Sequence, residues 1–232
     1  MKVVWDARVT QKMESLALGM GLIKNVEISS DTKELDSIKN KIFQDIKRNT
    51  TIDAIKDAAI VKAYRTFYWQ SLNIDPTKIR PSGEALTRRV LKDQEIPIIN
   101  NGVYAINLAS IQTQLSFSGF DLGKITPPLM VRYANPQEEF QGIGSRHRVL
   151  NGTELLLGDA EKILCIYAYG DALETTISLK TKDILLVNYG APNISSEILE
   201  KGIQTCLTYI KKGAGGEIGE IMVSRSVLPE PG

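Results

Sequence analysis

Apolar residues recur at helical intervals in several parts of the chain. Behind Asp31, Leu35, Ile38, Ile42 and Ile46 fall on one face, with lysines on the opposite face. This spacing is typical of an amphipathic helix. The same pattern predicts helices over residues 51–71, 82–91, 103–113 and 195–213, and a weaker pattern predicts a helix over residues 11–21.

Short apolar runs bounded by turn residues predict strands near the amino terminus and in the second half of the chain. These runs cover residues 2–9, 22–28, 129–134, 148–150, 154–157, 163–169 and 183–189. The glycine-containing segment 117–121 is interpreted as a loop. Because helices and strands do not alternate regularly, the pattern predicts an α+β fold, with mixed sheets and flanking helices.

The length of 232 residues suits one domain or two closely packed lobes. The sequence contains no internal repeat and no long linker. We expect an N-terminal lead-in packed on the core over residues 1–75, a core over residues 76–212 and a C-terminal tail over residues 213–232. The last four residues are expected to be disordered.

Composition and charge narrow the classes of function. Hydrophobic residues make up 43% and charged residues 24% of the chain, as in globular proteins, and the net charge is only +1. Such a charge creates no strong global attraction to nucleic acid, so any RNA contact would use local patches. The sequence shows neither an apolar leader nor a run of roughly 20 apolar residues, so we expect a cytoplasmic protein without membrane contact.

Few residues suggest catalysis or metal binding by themselves. The chain has one histidine, His147, and two cysteines, Cys165 and Cys206, which lie far apart in apolar runs. This set does not fit a closed zinc site, so we expect neither a metal nor a cofactor. The glycines of the GIGS and GAGGEIG segments lack the strand-before, helix-after setting of a phosphate-binding loop. The residues alone therefore indicate a soluble α+β domain without an evident catalytic group.

Three longer segments resemble a known family by their order and spacing. They are SGEALTRRVLKDQEIPIINNGVYAIN, then LSFSGFDLGKI, then MVRYANPQEEF. Together they resemble the B3/B4 domain of the bacterial phenylalanyl-tRNA synthetase beta chain, and still more the free-standing proteins that consist of this domain. In the synthetase, the domain hydrolyses the ester between a wrong amino acid and the tRNA end. An activated ester requires a placed water and oxyanion donors, without a protein nucleophile.

The resemblance also implies candidate site residues. Asn101 and Asn107 match paired asparagines of the family motif, and Arg132 matches its arginine strand. Ser118 stands where the synthetase has a histidine, and Val187 where it has a glutamate. The predicted substrate-binding residues are therefore Asn101, Asn107, Ser118, Arg132, Glu174 and Thr175, the last two lying on a polar loop. No catalytic side chain is assigned.

These residues lead to a specific expectation and leave alternatives open. We expect Asn107 and Ser118 to face one cavity, which should be roomier and less polar than that of the synthetase. The first hypothesis is a tRNA-binding protein that recognises the aminoacylated 3′ end and acts as a trans-editing hydrolase of mischarged esters. The alternatives are a non-catalytic RNA- or protein-binding module and a binder of a small amino-acid derivative. The oligomeric state remains open.

Overall fold

The computed structural model describes residues 1–13, 15–144 and 146–227. The helices are α1 (Ala7–Lys12), α2 (Asp36–Asn49), α3 (Ala59–Gln70), α4 (Ser82–Leu91), α5 (Asn101–Thr113) and α6 (Ser196–Ala214). The first strands are β1 (Val3–Trp5), β2 (Ala17–Lys24), β3 (Ser116–Asp121), β4 (Leu129–Tyr133), β5 (Glu139–Gly142) and β6 (Arg146–Val149). The later ones are β7 (Leu155–Gly158), β8 (Ile163–Ile166), β9 (Gly170–Asp171), β10 (Ile184–Tyr189) and β11 (Glu217–Arg225). The predicted disorder at residues 229–232 lies outside the described residues.

The strands form two larger sheets and one hairpin. A five-stranded sheet has the order β1-β4-β7-β8-β9, and a four-stranded sheet has the order β11-β2-β10-β3. Strand β1 runs parallel to β4, whereas the other pairs in this sheet are antiparallel. Strands β5 and β6 form the hairpin. The predicted α+β fold with mixed sheets and flanking helices is confirmed.

The four-stranded sheet separates two parts of the hydrophobic core. On one face, Ile23 and Leu186 pack with Ile203 and Leu207 of α6. On the other face, Leu18, Val187 and Phe120 pack with residues of α3 and of the five-stranded sheet. Since β10 lies in the middle, its side chains are buried on both faces. The part of the core on the side of α3 and the five-stranded sheet borders the cavity described below.

The predicted helix over residues 11–21 is wrong. Helix α1 ends at Lys12, and residues 17–24 form β2 between β10 and β11. The glycines in this segment permit close packing of the strand. A Cβ atom at Gly19 would lie 2.2 Å from Asn188 Oδ1, and one at Gly21 would lie 2.5 Å from Ile203 Cγ2. The sequence gives no sign of this close packing, because Asn188 and Ile203 lie far along the chain from Gly19 and Gly21. The local pattern of apolar residues was therefore interpreted as a weak helix.

The interpretation of residues 117–121 as a loop is also wrong. They belong to β3, whose side chains alternate between buried and half-buried. Gly119 leaves room for Ile106 of α5, since a Cβ atom at this position would lie 2.5 Å from Ile106 Cδ1. The predicted helix over residues 51–71 is shorter than expected, since α3 begins at Ala59 after a 3₁₀ turn.

The first 75 residues contribute to both sheets. Strand β1 pairs with β4, and β2 pairs with β10. The lead-in is thus packed on the rest of the chain, while the proposed boundaries at residues 75 and 212 stay a prediction. Among the helices of the described residues, none is long and apolar enough to cross a membrane.

Candidate functional site

A cavity of about 440 Å³ lies between the two larger sheets and the β5–β6 hairpin. Helix α3, the start of α4, and strands β3, β8, β9 and β10 contribute to its walls. Its volume falls in the range of roughly 300–1,000 Å³ that is typical of small-molecule sites. It is therefore the candidate site for a ligand.

Aromatic side chains form the floor of this cavity. Tyr64 and Phe67 share one face of α3, because residues three apart in a helix are neighbours. The rings of Tyr167 and Tyr189 meet edge to face, with centroids 4.9 Å apart. The Tyr64 hydroxyl donates a hydrogen bond to the Tyr189 carbonyl and accepts one from the Ser116 amide at 3.2 Å. These contacts hold the floor rigidly between helix and sheet.

A carboxyl group, Asp171, lies in the cavity wall. The Ser118 hydroxyl donates to Asp171 Oδ1 at 2.5 Å, joining β3 to β9. Burial raises the pKa of Asp171 from 3.8 to about 6, and the hydrogen bond from Ser118 opposes this rise because it favours the charged form. Asp171 is therefore mostly ionised at pH 7, while its pKa lies close enough to neutrality for proton transfer.

Cys165 lies directly opposite Asp171 in the β8–β9 pair. Burial raises the pKa of its thiol well above 9.0, and the neighbouring Asp171 carboxylate raises it further. Since the thiolate is the nucleophilic form, the protonated thiol is a poor nucleophile at neutral pH. The electrostatics of the site thus favour Asp171 as the proton acceptor.

Three buried hydroxyl groups of the cavity have no hydrogen-bond partner within the described residues. They are Ser116 Oγ, Tyr167 OH and Tyr189 OH, although the last lies beside the Cys165 thiol and the Ser118 hydroxyl, with which it makes weak contacts. Burial raises the pKa of both tyrosines well above 10.0, so both remain neutral donors. A buried polar group without a partner costs about 1–3 kcal/mol, and neighbouring atoms cover these three oxygens, so a ligand in the cavity reaches them only after the wall rearranges.

Of the six residues predicted from the sequence, the structure brings Ser118 to the cavity. Arg132 instead forms a two-pronged ion pair with Glu138, with Nη–Oε distances of 2.6 and 2.9 Å. This pairing raises the pKa of Arg132 and lowers that of Glu138. Glu174 is exposed and lies 3.9 Å from the amino group of Lys162, and Thr175 is fully buried away from the cavity lining.

The two predicted asparagines also lie outside the cavity lining. Asn101 Nδ2 donates to the carbonyl oxygens of Glu27 and Gly213 at 3.0 and 2.9 Å. These bonds connect the start of α5 to the segment after β2 and to the last turn of α6. Asn107 Nδ2 donates to the Pro97 carbonyl at 3.3 Å. Asn107 therefore does not share the cavity with Ser118, contrary to expectation, because its position on α5 faces the loop before that helix.

Sequence reasoning missed Asp171 and the tyrosines of the floor. Residues 163–169 were predicted as a single strand, whereas the chain turns at Ala168, whose φ is +67°, and returns as β9. This turn brings Asp171 back beside Cys165. The available signal was the acidic residue after Gly170, which was interpreted as the beginning of a polar loop. Groups of three or more potential metal ligands do not occur among the described residues.

A sequence profile of the B3/4 domain matches residues 63–212, more than half of the chain. The chain belongs to the B3/4 domain family. The cavity of this B3/4 domain is lined by residues between Tyr64 and Gly190, all within the matched segment. The resemblance inferred from the sequence motifs is thereby confirmed.

Curated relatives are larger proteins that contain a similar segment. The phenylalanine–tRNA ligase beta subunit of Fusobacterium nucleatum is 24% identical over 209 residues, which cover 89% of this chain and 26% of the relative. That of Aquifex aeolicus is 32% identical over 116 residues, covering 49% of this chain and 15% of the relative. The B3/4 chain thus spans about a quarter or less of these relatives.

One solved structure similar to this B3/4 chain is an N-terminal fragment of the phenylalanyl-tRNA synthetase beta-subunit from Pyrococcus horikoshii. The sequences are 12% identical and the TM-score is 0.48. The match covers 94% of this chain and 50% of that one.

Proposed function

We propose that this B3/4 protein binds the aminoacylated 3′ end of tRNA and hydrolyses mischarged esters in trans. The observation that carries the proposal is the Asp171 carboxylate in the wall of the cavity within the family segment. The similarity to phenylalanine–tRNA ligase beta subunits supports a ligand related to tRNA. Its place of action would be the cytoplasm, where charged tRNA is used.

The reaction requires a base for water and donors for the developing negative charge. Asp171 accepts a proton from a water molecule as the water oxygen attacks the ester carbonyl carbon. Ser118 keeps the carboxylate oriented through its 2.5 Å hydrogen bond. The tetrahedral intermediate then expels the ribose oxygen, which receives the proton from Asp171. The products are the free amino acid and a tRNA with a free terminal hydroxyl.

The unpartnered hydroxyls fit the second requirement. Tyr167, Tyr189 and Ser116 carry neutral hydroxyl groups in the cavity wall, which become donors to the oxyanion once a bound substrate has displaced the atoms that cover them. Donors fixed in such surroundings stabilise an oxyanion more effectively than water does, because they need no reorganisation during the reaction. Removal of a single donor of this kind lowers kcat by about 10²–10³-fold in well-studied enzymes.

The test is a panel of mischarged tRNAs, with ester loss followed against an enzyme-free blank. Asp171→Asn should lower the enzymatic rate by about 10²-fold or more, in line with the loss of a general base. Tyr189→Phe keeps the ring and removes only the hydroxyl, so a loss of about 10²-fold is expected from the missing donor. Glu174→Gln serves as the matched control, since this acidic residue is close to Asp171 in sequence but exposed.

Full activity of the Asp171→Asn variant would refute the proposed mechanism. If the protein cleaves none of the esters while still binding charged tRNA, the function is recognition without hydrolysis. If it neither binds nor cleaves any of them, the tRNA proposal fails.

A further inference from the structure

The carboxylate of Asp171 has no protein cation beside it. In the part of the chain that the structure describes, no lysine, arginine or histidine lies within ion-pair distance of Asp171, whereas Asp159 and Glu138 each pair with a basic residue. The groups that contact it, the Ser118 hydroxyl and the Cys165 thiol, are neutral. Charges away from bulk water are normally paired with an opposite charge. The cavity thus presents one half of an ion pair.

This carboxylate is also accessible from the cavity. Asp171 is half-buried and lines the cavity, in contrast to the three hydroxyl oxygens of the wall that neighbouring atoms cover. The hydrogen bond from Ser118 reaches Oδ1, and among the described residues no nitrogen or oxygen donates to Oδ2. A ligand with a donor group therefore reaches an oxygen of Asp171 without a rearrangement of the wall.

The wall around the carboxylate is rich in aromatic rings. Eight aromatic side chains line the cavity, in a chain that has 8 tyrosines, 5 phenylalanines and 2 tryptophans. The carboxylate of Asp171 lies close enough to Tyr189 to raise the pKa of its hydroxyl, and the ring of Tyr189 meets that of Tyr167. The face of an aromatic ring carries partial negative charge and attracts cations. Rings and carboxylate together favour an organic cation over an anion.

One ring of the cavity wall already contacts a cation. The guanidinium carbon of Arg148 lies 4.0 Å from the centroid of the Tyr169 ring, and both residues line the cavity. Arg148 and Arg80, the basic residues of the lining within the described part of the chain, are exposed. Because solvent and salt screen exposed charges, these arginines oppose a cation at Asp171 only weakly.

We infer that the cavity binds a small organic amine in its protonated form, with the ammonium group against Asp171 and the apolar part of the amine among the aromatic rings. A primary ammonium group has three N–H donors and no acceptor, which suits a carboxylate oxygen bordered by ring faces. The cavity volume of about 440 Å³ accommodates an aromatic amine. Such a ligand needs neither an ester nor a nucleotide.

The inference goes beyond the proposed hydrolysis and predicts how that reaction is inhibited. Asp171 accepts a proton from water only while its oxygen is free, so an amine bound there should inhibit hydrolysis competitively. Binding of the amine does not depend on whether the protein cleaves esters. The two proposals can therefore fail separately.

Three compounds with the same ring and different charges test the site. NMR titrations of the protein at neutral pH compare phenethylamine, which is a cation, with phenethyl alcohol, which is neutral, and hydrocinnamate, which is an anion. The amine should bind about tenfold more tightly than the alcohol, and the anion should bind least. Asp171→Asn should reduce the affinity for the amine to about that for the alcohol, and change alcohol binding by less than about twofold. Glu174→Gln, which alters an exposed carboxylate outside the cavity lining, is the control and should leave all three affinities unchanged.

Further variants separate the charge from the packing of the rings. Tyr189→Phe keeps the ring face and should retain the affinity for the amine, whereas Tyr189→Leu should weaken it by about fivefold. Arg148→Gln removes a cation from the cavity lining and should leave amine binding unchanged or strengthen it by up to about threefold. Urea unfolding of each variant verifies that it is folded, and the comparison of the three compounds on the wild-type protein requires no variant.

Equal affinity of the wild-type protein for phenethylamine and phenethyl alcohol would overturn the inference, as would tighter binding of hydrocinnamate. An equal loss of amine affinity in Asp171→Asn and Glu174→Gln would overturn it as well. If the amine binds through Asp171 but no ester is cleaved, the hydrolase proposal fails and the amine site stands. If esters are cleaved through Asp171 but the amine neither binds nor inhibits, the amine site fails and the hydrolase proposal stands.

Discussion

Replacement of Asp171 by asparagine should make the protein more stable at neutral pH while removing its proposed activity. Asparagine has a similar size, and its amide oxygen can still accept the hydrogen bond from Ser118 that the structure shows at 2.5 Å. The difference is the charge. Because burial raises the pKa of Asp171 in the folded protein, ionisation is easier in the unfolded chain, and the ionised carboxylate destabilises the fold.

The size of the effect follows from the two pKa values. A rise from 3.8 to about 6 corresponds to at most about 3 kcal/mol, at about 1.4 kcal/mol for each tenfold change in proton affinity. Asp171 is half-buried and borders a cavity that solvent can enter, so screening reduces this figure. We expect the free energy of unfolding to increase by about 1–2 kcal/mol at pH 7 in the variant.

The dependence on pH separates this explanation from a general packing effect. In the wild-type protein, the protonated carboxyl of Asp171 contributes to the free energy of unfolding. This contribution is fully present below about pH 4 and is lost as the pH rises towards about 6. Urea unfolding of both proteins between pH 4 and 8 measures the difference in their free energies of unfolding. This difference should be near zero at pH 4 and constant above pH 7. Glu174→Gln should change stability by less than about 0.5 kcal/mol. A variant that is less stable at pH 7, or a gain independent of pH, would refute the reasoning.

Three further outcomes are expected. Ser118→Ala removes a hydrogen bond that favours the ionised form of Asp171, so the acid limb of the pH–rate profile should move to higher pH. Asn101→Ala should cost about 2 kcal/mol or more in urea unfolding, whereas Asn107→Ala should cost less than about 1, since the buried amide contacts belong to Asn101. Glu84→Gln should destabilise by about 3 kcal/mol, because Arg65 and Arg88 lose their shared buried partner; a loss below about 1 would contradict the role of this cluster.

Much of the fold could be predicted because apolar residues recur at regular intervals along its helices and in short runs along its strands. Helix α4 was predicted over residues 82–91 and lies there, and α5 differs by two residues at its start. Strands β4, β7 and β10 were predicted within one or two residues, since apolar runs bounded by turns mark buried strands. Strand β2 was predicted only in part: the predicted strand over residues 22–28 overlaps its last three residues, and its start at residue 17 was not found because Gly19 and Gly21 satisfy contacts with β10 and α6 that local sequence does not reveal.

The candidate site was harder to predict than the fold. Ser118 was assigned from the family motif, and the loss of polar groups at Ser118 and Val187 suggested a less polar cavity. In the structure, these two residues are paired across β3 and β10, while a carboxylate enters from β9 instead. The position of Asp171 depends on pairing between β8 and β9 after a tight turn, and such register is set by tertiary contacts. Local patterns therefore could not place it.

The central position of β2 also bears on how the domain can be transplanted. The segment that matches the family begins within α3 at residue 63, yet β2, at residues 17–24, pairs with the full length of β10. A fragment cut at the family boundaries would leave β10, a strand whose six residues are all buried, with an open hydrogen-bonding edge on one side. Open edges of this kind recruit other strands and promote aggregation. The portable unit is therefore larger than the unit of sequence similarity, and grafting it into another protein requires the preceding strands as well.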